Sequence, residues 1–416
     1  MNNISSILSA DAKFFSPNDN KLLNRYFNKL KKKNYNEKFN GYLPDWDISI
    51  RKIYNIISEL YNHYDEVIVF AFDAISYQYY MQEVNHYSLD FSGYKVSMLS
   101  SVFPSTSSTS WGSILTGTKP SEHGIYGTSF LLENYNKNYI WHRNVLSHKG
   151  ERKILGSKDK FKLVATDRPT LFELLSDKGV VSYSLGTNFQ GEFKPLLNDL
   201  YKGSIRIRIK NDYLSFTEKP NEMLDYFFCQ NEELLKINEC EKLLIWNYID
   251  TDYFIHVNGY DVLTNSINWK RVFDFWEKHS KKNRAFLFIS DHGQIQQKNI
   301  KINIFDVSNE NEDLAYDTAG AGRVIYAYPK VGKEEQVKLW LEKLMKDNGY
   351  VISKKDLVEL NLLDENANCI ERMGDIIAIA RNASFPSTGY SYLFEHGAFE
   401  QDEMYVPITI KLGEEV

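Results

Sequence analysis

The chain has 416 residues, with 49 basic and 55 acidic side chains and a formal net charge of −6 when its nine histidines are neutral. That balance excludes a nucleic-acid coat, because phosphate neutralisation needs clustered Lys and Arg. With 43% apolar and 14% aromatic residues, wholesale disorder is excluded as well. The length suits two or three domains, or one large α/β domain with an insertion. Cys229, Cys240 and Cys369 are too few and too scattered for a disulfide framework or a Cys-based zinc site, which fits a reducing compartment. The opening MNNISSILSADAKFF lacks a basic segment followed by an apolar one, and no apolar run reaches the roughly eighteen residues of a membrane span. The expectation is a soluble, cytoplasmic protein with no membrane partner.

In chain order, residues 1–62 read as an N-terminal helical extension. Leu22, Leu23, Tyr26, Phe27 and Leu30 form an apolar stripe, and Lys29, Lys31, Lys32 and Lys33 lie on the other face. This basic run reads as a solvated face of a helix packed on the main domain, not as a site for an anionic partner. Residues 63–416 then form the main domain. EVIVFAFDAIS at 66–76, KLLIWNYIDTD at 242–252 and RAFLFISDHG at 284–293 are apolar β-branched or aromatic runs that each end in aspartate. Buried parallel strands look like this when their carboxyl ends carry a site. With helical stretches between them, they predict an α/β fold with a doubly wound, mostly parallel central sheet flanked by helices.

Cap or insertion elements are expected within about 131–240. Residues 131–165 read as an excursion over the site, and RPTLFELLSDKGVVSYSLG at 168–186 as a helix feeding another strand. Tyr135, Tyr139, Trp141 and His142 in the excursion read as packing beneath a lid in preference to a nucleobase-stacking platform. GAGRVIYAYPK at 320–330 is a turn followed by a strand, and EEQVKLWLEKLMKDNG at 334–349 is a helix stopped by glycine.

The chemistry-bearing residues cluster at these strand ends. Asp252 and His256 are four apart, so a helical turn puts both on one face. Asp291 and His292 are adjacent, His396 lies in FEHGAF, and Asp73 ends the first strand. Three carboxylates and three imidazoles suffice for two divalent metals with oxygen and nitrogen ligands. Each motif alone is commonplace, since a strand-terminal Asp is usually a helix cap; their joint occurrence at strand ends is not. SVFPSTSSTSWGSILTGTKPSEHGIYG at 101–127 then opens a helix near Ser107 with small hydroxylated residues. An alcohol at a helix N-terminus sits where negative charge is favoured, and a metal bound to it would make it a nucleophile.

The Asp-ending first strand, PSTS, LTGTKPSEHGIYG, DTDYFIH, SDHG, MGDIIAIA and EHGAFEQDEMYVPI occur in the order seen in the alkaline phosphatase superfamily. The chain most resembles its nucleotide pyrophosphatase/phosphodiesterase branch, with blocks spread from residue 66 to 410. The resemblance assigns Asp252, His256 and His396 to one metal, and Asp73, Asp291 and His292 to the other. It makes Ser107, nine residues before Thr116, both nucleophile and metal ligand, where the branch more often has threonine; Thr106 and Ser108 are its neighbours in register. Ser110 falls where relatives hold a phosphoryl oxygen with asparagine, and His123, Arg323, Arg372 and Asp375 read as scaffold.

The implied function is a metal-dependent hydrolase that cleaves a phosphodiester or phosphoanhydride of a small molecule through a phosphoseryl intermediate. Two Zn²⁺ ions are expected, with Mn²⁺ as the other candidate. The alternatives are a phosphomonoesterase or phosphotransferase of the same superfamily, and a PglZ-like component of a larger assembly. A sulfatase is disfavoured, because formylglycine maturation requires a Cys or Ser followed by Pro-x-Arg, and none of the three cysteines sits in that context.

Overall fold

A computed structural model describes residues 13–17, 19–87, 93–149, 151–156, 162–186, 194–208, 219–237, 240–297, 311–381 and 392–413. Residues 1–12 and 18 of the expected extension, and 150, 157–161, 187–193, 209–218 and 238–239 of the expected cap, lie outside them.

The three Asp-ending runs are strands: β1 (Glu66–Phe72), β5 (Lys242–Ile249) and β6 (Arg284–Ser290). They share one sheet with β2 (Tyr94–Ser100), β3 (Val180–Gly186), β4 (Ile205–Arg208) and β7 (Tyr405–Leu412), in the order β4-β3-β5-β1-β6-β7-β2. Neighbours from β4 through β6 pair in parallel, and β7 runs antiparallel to β6 and β2. Both faces are covered, which is why the runs lack polar alternation. Val67, Val69, Ala71, Leu244, Trp246, Leu287 and Ile289 enter one core, with the helices Ile53–Leu60 and Leu171–Asp177. Ile68, Phe70, Phe72, Ile245, Phe286 and Phe288 enter the other, with the helices Tyr77–His86 and Pro220–Ile237. This is the doubly wound arrangement read from the sequence.

Helix α1 (Asn20–Asn34) buries Leu23 and Leu30, and Phe27 packs edge-on against Tyr405 of β7. Leu22 departs from the expected stripe, being 45% exposed. On the basic face, Lys33 bridges Asp45 at 2.9 Å and Asp47 at 3.1 Å.

One large element was not legible beforehand. An eight-stranded sheet joins Ser129–Leu132, Lys137–Ile140, Val145–His148 and Glu151–Ile154 to strands from the C-terminal third, through the pairing of Ser129 with Gly320. The stretch read as an excursion is therefore partly a sheet with its own apolar packing. Tyr139 is fully buried against Phe130, whereas Tyr135 is exposed.

Candidate active site

Ile249 of β5 and Ser290 of β6 both pair with Phe72 of β1. Three strands thus end level, and the chain delivers Asp73, Asp250 to Asp252, and Asp291 with His292 to one edge. Ala74 adopts φ 65°, and its N–H donates to Asp291 Oδ1 at 3.1 Å, tying the first and third strand ends together. Asp73 Oδ2 accepts from the Tyr248 hydroxyl and from Trp111 Nε1 at 3.4 Å, which leaves Oδ1 to accept from Ser107 Oγ at 3.1 Å.

Ser107 opens helix α2 (Ser107–Thr116), with Thr106 as an extended N-cap residue. Its Oγ also lies 3.1 Å from His292 Nε2. The neighbouring hydroxyls turn elsewhere: Thr106 pairs with Thr128 Oγ1 at 3.1 Å, and Ser108 donates to the Gly127 carbonyl at 2.6 Å. Ser110, where the sequence departs from the asparagine of relatives, is fully buried and shares a hydrogen bond with Ser101 Oγ at 3.2 Å; the cleft is lined by Thr128 instead.

Asp252 heads helix α3 (Asp252–Asn258), and the four-residue spacing brings its Oδ2 within 3.2 Å of His256 Nε2. Its Oδ1 lies 3.5 Å from His396 Nε2 and accepts from Gln294 Nε2 at 2.5 Å. The rings of His292 and His396 stack with centroids 4.0 Å apart, so the two halves of the site adjoin. All seven residues named from the sequence converge here.

The Nδ1 atoms of the three imidazoles lie against the carbonyls of Phe394 (His256, 2.7 Å), Gly293 (His292, 3.1 Å) and Ser105 (His396, 2.8 Å). A carbonyl only accepts, so each Nδ1 is the donor and each Nε2 is the nitrogen turned to the site. Donor atoms of Asp73, Asp291 and His292 lie within 4.8 Å of one another, as do those of Asp252, His292 and His396, and of His256, Glu395 and His396.

Burial and the charge of Asp252 push the Asp73 carboxyl up to about 7; burial with Asp73 and Asp252 does the same to Asp250. Burial, then Asp73, also raises the Asp291 carboxyl well above the usual carboxylate range. Burial also disfavours charge on Asp252, but His256 and His396 hold its carboxyl well below the usual range. The same burial works against protonated His256, yet Asp252 and Glu395 carry it up to about 10. Burial, joined by the charge of His256 and opposed by Asp252, drives His292 down to about 4. The chain by itself thus concentrates more acid here than it can ionise.

Glu395 and Asp250 were missed, although each neighbours a residue that was chosen. Glu395 Oε1 lies 3.8 Å from His396 Nε2, and it has room because position 322 is glycine: a Cβ there would meet that oxygen at 2.0 Å. Trp141, His142 and Lys194 join the site residues around a cleft of about 260 Å³, so two of the aromatics read as packing face the cleft.

A family model described as type I phosphodiesterase / nucleotide pyrophosphatase matches residues 67–399. The chain belongs to that family. It is accordingly a phosphoric ester hydrolase. Murine ectonucleotide pyrophosphatase/phosphodiesterase 5 shares 18% identity at a TM-score of 0.58, over 84% of this chain and 88% of that one. An inactive form of the murine protein in complex with AMP aligns at 16% and 0.58, over 83% and 87%. Phosphonoacetate hydrolase from Sinorhizobium meliloti 1021, in complex with phosphonoformate, aligns at 16% and 0.54, over 84% and 90%. No curated protein matches the sequence. No helix among the described residues is long and apolar enough to cross a membrane.

The remaining family-motif residues brace this phosphodiesterase scaffold. His123 is fully buried, its Nδ1 accepts from Ile125 N at 3.1 Å, and its Nε2 meets Ser113 Oγ at 3.0 Å. Burial, then Arg372, drives it down to about 3, so it stays neutral. Arg372 donates to the carbonyls of Gly124 at 2.8 Å and Leu163 at 2.6 Å, Asp375 pairs with Lys354 at 2.9 Å, and Arg323 pairs with Glu403.

Proposed function

We propose that this hydrolase cleaves a phosphodiester or phosphoanhydride of a small, nucleotide-like molecule, with Ser107 as nucleophile. Asp73, Asp291, His292 and the Ser107 oxygen would hold one divalent cation, and Asp252, His256 and His396 the other. The observation that carries this reading is the common orientation of the three imidazoles: each Nδ1 lies against a carbonyl, and each Nε2 turns into the site, toward Asp252 for His256 and His396 and toward Asp73, Asp291 and Ser107 Oγ for His292. The rest of the donor set fits. Asp291 Oδ2 is buried without a hydrogen-bond partner, and a mixed oxygen and nitrogen set suits Zn²⁺, with Mn²⁺ second. When bound, such a pair of cations would neutralise the carboxylates and stabilise charge on the attacking and leaving oxygens.

The chain's own contribution is placement. Asp73 Oδ1 holds the Ser107 hydroxyl at 3.1 Å, with Oδ2 already engaged by Tyr248 and Trp111. As the bond from Ser107 Oγ to phosphorus forms, the hydroxyl proton passes to Asp73 Oδ1, which already accepts it, and the bond to the leaving alcohol or phosphate breaks, giving a phosphoseryl group. Water then attacks that phosphorus and returns the Ser107 oxygen. The N-terminal end of α2 favours the negative charge of the phosphoryl group throughout. The AMP held by the murine relative supports a nucleotide-like ester as substrate.

Replacing Ser107 with alanine tests the assignment on bis-p-nitrophenyl phosphate with added Zn²⁺. The expected loss is about a thousandfold or more in kcat with metal content unchanged. Retained turnover would overturn Ser107 as nucleophile.

A further inference from the structure

Helix α3 places the backbone of His256 but leaves its ring a choice of side-chain rotamers. Three contacts from residues 392–394 remove that choice. Leu393 N donates to the His256 carbonyl at 2.7 Å, one of those a helix end leaves without an internal partner. The Phe394 carbonyl accepts from Nδ1 at 2.7 Å, and the Tyr392 ring stacks on the imidazole, with centroids 4.4 Å apart and planes 22° from parallel. With one edge and one face held, Nε2 is directed at Asp252 Oδ2, 3.2 Å away. Gly259 admits this approach, since a Cβ there would meet Phe394 Cε2 at 2.5 Å. The stretch is itself anchored: Phe394–Glu395 pairs antiparallel with Ile295–Gln296, just after His292, and leads directly into His396. Tyr392 is half-buried and lines the cleft, a place where a ring adds little to a core.

We infer that Tyr392 is a positioning residue for the cation assigned to Asp252, His256 and His396, acting through the His256 ring and not as a ligand. Its stacked face holds the imidazole in the one orientation that turns Nε2 to Asp252, so the affinity of that site depends on a side chain outside the ligand set. The hydroxyl has no part in this, because the contact is ring on ring. The Asp73, Asp291 and His292 site has no such dependence, since the Tyr392 ring stacks on His256 and not on His292. This inference rests on the two-cation reading of the cleft.

The test titrates Zn²⁺ into the metal-free full chain against a chromophoric chelator, for the wild type, Tyr392→Ala and Tyr392→Phe. His256→Ala identifies which of the two equivalents belongs to His256. Tyr392→Ala should weaken that equivalent about five- to tenfold, the scale of one stacked aromatic pair, and leave the other unchanged, while Tyr392→Phe keeps the wild-type values. With Co²⁺ in place of Zn²⁺, the visible absorption of the His256 equivalent should change in Tyr392→Ala and stay as in the wild type in Tyr392→Phe. The metal-free melting temperature should be the same in all three proteins, which a merely structural role would not allow. Unchanged affinity in Tyr392→Ala, or a loss shared by both equivalents together with a lower metal-free melting temperature, overturns the positioning role and leaves the two-cation reading standing. A wild type that takes up no second equivalent overturns both.

Discussion

Replacing Arg323 with methionine removes one partner of an ion pair whose side chains are both 0% exposed. Glu403 would keep only backbone donors, Ala398 N at 3.0 Å and Glu400 N at 2.9 Å, for a carboxylate that water does not reach. Breaking such a pair costs about 3–5 kcal/mol, because it leaves an uncompensated buried charge. The pH dependence is the sharper signature. Burial raises Glu403 from 4.5 to about 7, with Arg323 opposing. A raised acid binds its proton more tightly in the folded state, so the stability it contributes is fully present below 4.5 and is lost as pH climbs through 7. At about 1.4 kcal/mol per unit, the loss is about 3 kcal/mol in the wild type and levels off above pH 7. Without Arg323 the Glu403 carboxyl rises further, so the variant keeps losing stability between about pH 7 and 8.5, where the wild-type term is flat. Urea unfolding midpoints at pH 5, 7 and 8.5 measure this, and Glu403→Gln in the Arg323→Met background should recover most of the loss at pH 8.5. A cost under about 1 kcal/mol there, a cost indifferent to pH, or no recovery in the double variant would refute the argument.

Chelation should abolish turnover and lower the melting temperature, with both restored by Zn²⁺; at a thousand times its Kd the ion adds about 4 kcal/mol, so an unchanged melting curve contradicts a metal site. Glu395→Gln should weaken the site beside His256 and His396 by about 10–100-fold in competition with a chromophoric chelator, with the Asp73, Asp291 and His292 site unchanged. Gly112→Ala places a Cβ 2.9 Å from His123 Cε1, and the overpacking should cost about 1–3 kcal/mol in unfolding midpoint.

The sequence exposed the central sheet because its strands are long, β-branched and buried on both faces, and it exposed the site because their ends are polar. The first turn of α2 was readable from its hydroxyl run. The second sheet was not, since strands as short as Ala319–Ala321 carry no alternation and pair with residues some two hundred positions away. Hydroxyl spacing along α2 did not say which face meets the cleft, and Ser110 lies buried against Ser101. Asp250 and Glu395 lay beside chosen ligands, but only the turn after β5 and the gap left by Gly322 bring their carboxylates inward. Lys194 had no motif at all.

The level ending of β5, β1 and β6 makes the site a property of the hydrogen-bond ladder. Slipping β6 by one residue against β1 would send alternate side chains to the opposite face and move His292 away from Ser107. Positional accuracy at the phosphorus is thus inherited from backbone pairing several residues back along the sheet. The amide protons of Phe72, Ile249 and Ser290, slow to exchange while the ladder holds, should therefore report on the readiness of a reaction centre they never touch.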